Sequence, residues 1–129
     1  MAEPDRTARA EALLDQIFTP AWRDHQGGVA WPSEAGHDFA RLCVEHCYAD
    51  VWPRAGLDLK TRSLVTLTAL AALGNTEELK LNVRAALTLG HAPDTVVELF
   101  IHLLPYLGVP RMVAVMRSAA EVLKQNTAA

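Results

Sequence analysis

The stretch LKTRSLVTLTALAALGNTEELKLNVRAALTLG, residues 59–90, decides the fold. Its first half, Leu59 to Leu73, is a helix-length run stopped by Gly74, and its last ten residues, LVTLTALAAL, are apolar on nearly every side. A helix of that kind lies at the centre of a fold or against another subunit. The second half is amphipathic. Thr76 is placed to cap a helix running to Leu89, with Glu77 and Glu78 at the positive end of its dipole and Gly90 as its stop. Leu79, Asn82, Val83 and Ala86 fall on the inner face and Glu77, Lys80 and Arg84 on the wet one, so Asn82 is a lone polar residue on an apolar stripe.

The rest of the chain follows the same period. Pro4 to Phe18 reads as a helix with Ala10, Leu13, Leu14 and Ile17 on one face, and Thr19 to Pro32, with Trp22, Gly27, Gly28 and Trp31, as an irregular arm. A second helix from Ser33 to Val51 sets Phe39, Leu42, Cys43, His46 and Cys47 on one inner stripe. Pro93 opens a fifth helix to about Tyr106, bent or cut short by Pro105, and a sixth runs from Arg111 to Lys124. No strand pattern competes, so the class is all-α, with about six helices in one domain spanning 1–129.

Composition excludes several functions. A net charge of -3 and a pI near 5.9, with no basic run, argue against nucleic-acid binding. The longest strongly apolar segment, Leu64 to Leu73, is about half a membrane span, and Met-Ala-Glu-Pro-Asp does not read as a secretion signal, so a cytoplasmic, membrane-free protein is expected. No phosphate-cradling Gly loop, metal-type Cys/His cluster or Gly-x-Ser-x-Gly elbow occurs, so no metal and no cofactor are expected. Cys43 and Cys47, four apart, read as packing thiols, with a redox pair as the alternative.

Chemistry is left to polar residues set among apolar ones. On the fifth helix Asp94, Glu98 and His102 recur every four residues, and Glu98 can reach His102 and fix its orientation. Either this stripe faces water or it is an acid/base pair lining a cavity. His46 reads as a core histidine or a proton donor, and Arg54, Arg62 and Arg84 as surface cations or anion holders.

Three blocks in order are specific: WPRAGLDLKTRSL at 52–64, ELKLNVRAAL at 78–87, and Tyr106-Leu107-Gly108-Val109-Pro110 following Gly90 and Glu98. Over about residues 38–123 the chain resembles the carboxymuconolactone decarboxylase family, with 1–37 as a divergent N-terminal helix and arm. The resemblance implies an alkylhydroperoxidase D-like helical fold assembling into a homotrimer or homohexamer around a small-molecule substrate. The peroxidase branch of the family carries Cys-x-x-Cys-x-x-x-His where this chain has Asn75, Glu78 and Asn82, so disulfide-based peroxidase chemistry is set aside there. The decarboxylase branch carries His at the position of Asn82, and an ordinary helix former at that of Pro105.

What the resemblance implies is a cofactor-independent decarboxylase or related lyase acting on a carboxylated lactone or related unsaturated acid. Arg54, Arg62 and Arg84 would hold carboxylates, and Trp52 and Tyr106, within the matching blocks, would help bind substrate. Asn82 would donate a hydrogen bond to the oxygen where charge develops, and protonation would fall to His46 or to His102 tuned by Glu98. The alternatives are a noncatalytic member that binds a small ligand or serves as an assembly subunit, and a redox protein using Cys43 and Cys47.

Overall fold

The computed structural model describes residues 3–20, 22 and 33–128, with side chains described for 6–20, 22 and 33–125. Its regular structure there is helical: α1 (Glu3–Phe18), α2 (Glu34–Glu45) continuing into a π-helical segment (His46–Val51), α3 (Leu59–Leu73), α4 (Thr76–Thr88), α5 (Pro93–Leu107) and α6 (Val109–Ala128). The all-α class is as expected, while the arm bearing Gly27, Gly28 and Trp31 lies outside the described residues. The chain forms two compact units, Met1–Leu59 and Lys60–Ala129.

In the first unit α1 buries Ala10, Leu14 and Ile17, three positions of its expected apolar face. Ser33 caps α2 by accepting from the Gly36 amide at 3.1 Å. The expected inner stripe of α2 is corrected here. Phe39 and Leu42 are each half exposed or more and the His46 side chain is 74% exposed, whereas the buried positions are Gly36 and Glu45. The reason is a polar contact that hydropathy does not register. Glu45, only 4% exposed, accepts from Arg6 Nη1 and from Thr7 Oγ1, both at 2.8 Å, so α1 and α2 are joined through charge as well as through methyls. The helix then widens: the Trp52 amide bonds to the Cys47 carbonyl at 2.8 Å, an i→i+5 closure. This segment carries Tyr48, which meets Phe18 edge-on at 5.9 Å and stacks on Trp52 at 5.8 Å.

The second unit has one core. Leu67 and Ala71 of α3, Leu79, Val83 and Ala86 of α4, Val96, Phe100 and Leu103 of α5, and Met112, Val115, Ala119, Val122 and Leu123 of α6 pack together, with α6 lying against both α4 and α5. A side chain such as Phe100, only 2% exposed, contributes about 1.5–3 kcal/mol by leaving water. The apolar surplus of α3 is evident, because Val65 and Leu73 stay exposed while Leu67 and Ala71 are buried.

Helix ends follow local chemistry. Asn75 rather than Thr76 caps α4, accepting from the Glu78 amide at 3.3 Å, since the αL turn at Gly74 delivers residue 75 to the cap position. Pro105 does not cut α5 short: the helix runs to Leu107 and ends at Gly108, whose φ is +88°. Proline removes only the donor for the Ile101 carbonyl, on an exposed residue, while Leu103 beneath it is anchored in the core.

Gly74, with φ +72°, reverses the chain after α3, and the Asn75 amide closes onto the Leu70 carbonyl at 3.1 Å. A Cβ at Gly74 would overlap the Arg111 guanidinium. Gly74→Ala is therefore expected to destabilise by about 1–2 kcal/mol through left-handed strain, with Arg111 swinging away. Thermal melting should show a drop of roughly 3–8 °C, smaller for Gly74→Asn, which tolerates this conformation.

Candidate functional site

The polar stripe on α5 is the best-defined constellation. Its helix starts at Pro93, after Ala92 in extended conformation, so that Asp94, Glu98, His102 and Tyr106 rise at intervals of one turn. Glu98 and His102 are exposed, Tyr106 is 73% exposed, and Ile101 and Leu104 lie exposed beside them. Among the described residues no ion pair joins Glu98 to His102. The imidazole instead packs on Tyr106, ring centroids 5.5 Å apart and tilted by 44°. His102 is thereby placed by a ring contact on its C-terminal side, with Glu98 one turn below.

Asn82 is 8% exposed on the inner face of α4, where the sequence places it. Its Nδ2 donates to the Glu78 carbonyl at 2.9 Å, which fixes the side chain against its own helix. The carboxamide retains a second N–H and an oxygen, so it can hold a ligand, but it cannot carry a proton at neutral pH. Arg62 is half-buried near the start of α3, and Arg84 is exposed on α4. Thr66 and Thr68 back-bond to the Arg62 and Leu64 carbonyls, at 2.8 and 3.0 Å, so their hydroxyls are satisfied within this apolar helix.

His46, Trp52 and Arg54 belong to the first unit. His46 is not the core histidine of the sequence reading: it is exposed, with Nδ1 3.9 Å from Asp50. Asp50 is bound by Arg6, through Nε at 3.0 Å and through Nη2, and these bonds hold its carboxyl below the usual carboxylate range. Trp52 is half-buried on Tyr48. Arg54 is exposed and lines an open cleft with Arg9, Gln16 and Asp50. No local pattern could have revealed Arg9 and Gln16 as its neighbours, because only the packing of α1 on the π-helical segment brings them there. Glu45 was equally hidden, since its partners Arg6 and Thr7 lie 39 and 38 residues away in sequence.

The thiols are free and half-buried. Burial, and then the neighbouring Cys43, push the Cys47 thiol up, opposite to what a nucleophilic cysteine needs. Among the described residues no group of three or more His, Cys, Asp or Glu side chains is gathered as a metal site. No helix among them is long and apolar enough to cross a membrane.

An all-helical chain whose amphipathic helix α4 follows an all-round apolar one, and which carries a Glu–His–Tyr line on α5, defines a class of small helical proteins with polar groups set into apolar faces. Comparison with known proteins narrows the class. The family described as the carboxymuconolactone decarboxylase family matches residues 37–121, and the chain belongs to that family. A 4-carboxymuconolactone decarboxylase of Acinetobacter baylyi is 38% identical over 92 residues, covering 71% of this chain and 69% of the relative. A nitrosuccinic acid decarboxylase of Metarhizium robertsii is 35% identical over 75 residues, 58% of this chain, which spans about half of that relative's length (52%). The chain is thus a decarboxylase-like member of its family.

Proposed function

We propose that this protein is a cofactor-independent decarboxylase of small carboxylic acids that carry an electron-withdrawing group near the departing carboxylate. The observation that carries this reading is the line of Glu98, His102 and Tyr106 on α5, an acid/base set amid apolar Ile101 and Leu104, in a chain whose relatives are named as decarboxylases. In such a reaction the C–CO2 bond breaks and its electron pair flows into a conjugated acceptor, either the carbonyl of a lactone or a nitro group. A proton then returns to carbon. His102 is the proton donor in this scheme, with Tyr106 fixing its position and Glu98 one turn away, and Asn82 holds the acceptor oxygen. Arg62 and Arg84 are the candidates for holding carboxylates.

The exposed apolar residues beside the stripe suit coverage by another copy of the chain, and a homotrimer or homohexamer in the cytoplasm is the proposed state. Asn82 favours one other role, holding a ligand without turning it over, because its amide is fixed on Glu78 and does not titrate.

The test is CO2 release from 4-carboxymuconolactone and from nitrosuccinate, for the native protein and for Asn82→His. Release from at least one compound by the native protein is expected. A gain on the lactone of about 10-fold or more in Asn82→His is expected from adding a titratable group at that position. No release from either compound by either protein would overturn the decarboxylase reading and leave ligand holding.

A further inference from the structure

In the first unit, charge gathers in a concavity that the decarboxylase reading does not need. Arg9, Ala12, Leu13 and Gln16 of α1, Ala49 and Asp50 of the π-helical segment, and Pro53 and Arg54 of the turn after it line an open cleft of about 580 Å3. That volume lies in the range of small-molecule sites, roughly 300–1,000 Å3. Its chemistry is two-sided. Ala12, Leu13, Ala49 and Pro53 supply hydrocarbon, while two guanidinium groups stand against the single carboxylate of Asp50.

That carboxylate is already committed. Arg6, from outside the cleft, bonds both Asp50 oxygens. The lining therefore presents net positive charge beside an apolar floor, with the Gln16 amide as a neutral donor and acceptor. Each guanidinium carries five N–H groups in a planar fork, more than its contacts within a protein normally use, and that fork matches a carboxylate in two parallel bonds. A polyanion is disfavoured by the net charge of -3 on the whole chain. A single carboxylate on an apolar body satisfies both halves of the lining.

We propose that the cleft between α1 and the π-helical segment binds a small organic carboxylate with an apolar body, its charge on Arg9 and Arg54 and its body on Ala12, Leu13, Ala49 and Pro53. The site rests on the packing of this unit alone and not on turnover, so it stands or falls separately from the decarboxylase reading.

The probe is benzoate, with benzamide as its uncharged counterpart, titrated into the full protein at low salt and followed residue by residue in 1H–15N spectra. Saturable shifts of the Ala49, Asp50 and Arg54 amides are expected with benzoate and none with benzamide. Arg9→Gln and Arg54→Gln are each expected to weaken binding about 10-fold, the loss of one charge-assisted contact. Ala12→Phe, at an exposed position on α1, fills the cleft without altering a charge and is expected to abolish the shifts while the melting temperature holds. Absence of saturable shifts, equal shifts with benzamide, or benzoate shifts that persist in Ala12→Phe and in the doubly substituted Arg9→Gln, Arg54→Gln protein would each overturn the site.

Discussion

Replacement of His102 by Ala is expected to lower CO2 release by about 10^2 to 10^4-fold, the range in which a positioned proton donor contributes. Folding should be little changed. The imidazole is exposed on α5 and its neighbours in the core are Phe100 and Leu103, so its removal opens no cavity. Glu98→Gln keeps the shape of the side chain and removes its charge one turn from the imidazole, and should reduce turnover by at least 10-fold. Turnover by both variants within a factor of two of the native rate, at an unchanged melting temperature, would remove the α5 stripe from the site. A loss of turnover with a collapsed melting temperature would point to structure instead, which is why both are measured on the same samples.

The largest stability effect is expected at Glu45. Removing one partner of a buried ion pair costs about 3–5 kcal/mol when the other is left charged and dry. Here the Arg6 side chain is 32% exposed and keeps Asp50, so the cost falls below that range, and Glu45→Ala should cost about 2–3 kcal/mol. Thr7 also loses its acceptor, and Arg41, 3.6 Å from Glu45, its second carboxylate. Denaturant unfolding reads the change as a shift in midpoint. Glu45→Gln, which can still accept from Thr7, should lose less, and equal losses would mean that volume rather than charge holds α1 to α2. The Asp50 side of the cluster responds to pH with a definite sign. Its folded pKa is depressed, so its contribution is complete above the ordinary carboxylate range and is lost as pH falls through the lowered value.

The helices of the second unit were largely legible because their signals are local. Gly74 and Gly90 set the limits of α3 and α4, and the positions 79, 82, 83 and 86 named as the inner face of α4 are all buried, joined there by Ala85. Pro105 misleads when read alone, since its local cost is small beside the burial of Leu103. The first unit was less legible. A helical wheel assigns Phe39, Leu42 and His46 to the inside by hydropathy, but the packing of α2 on α1 was settled by Arg6, Thr7 and Glu45, whose partners lie about 40 residues apart in sequence. The site divides in the same way. Glu98 and His102 were visible through one-turn spacing and Tyr106 only through the family resemblance, whereas the cleft beside Arg54 depends on a tertiary meeting that no spacing encodes.

The π-helical closure at Cys47 and Trp52 also bears on how the chain tolerates insertions and deletions. An i→i+5 ring holds one residue more than an α-helical turn, so the segment 46–51 has the geometry of an α-helix that has absorbed one inserted residue. Deleting one residue there would restore the ordinary turn and leave Trp52 and Arg54 on the side of the helix axis they already occupy, because the wider turn fits its extra residue into one full rotation. The chain can thus lose a residue at this point without turning away the first of the three blocks, WPRAGL, while the helix before it keeps its own hydrogen bonds.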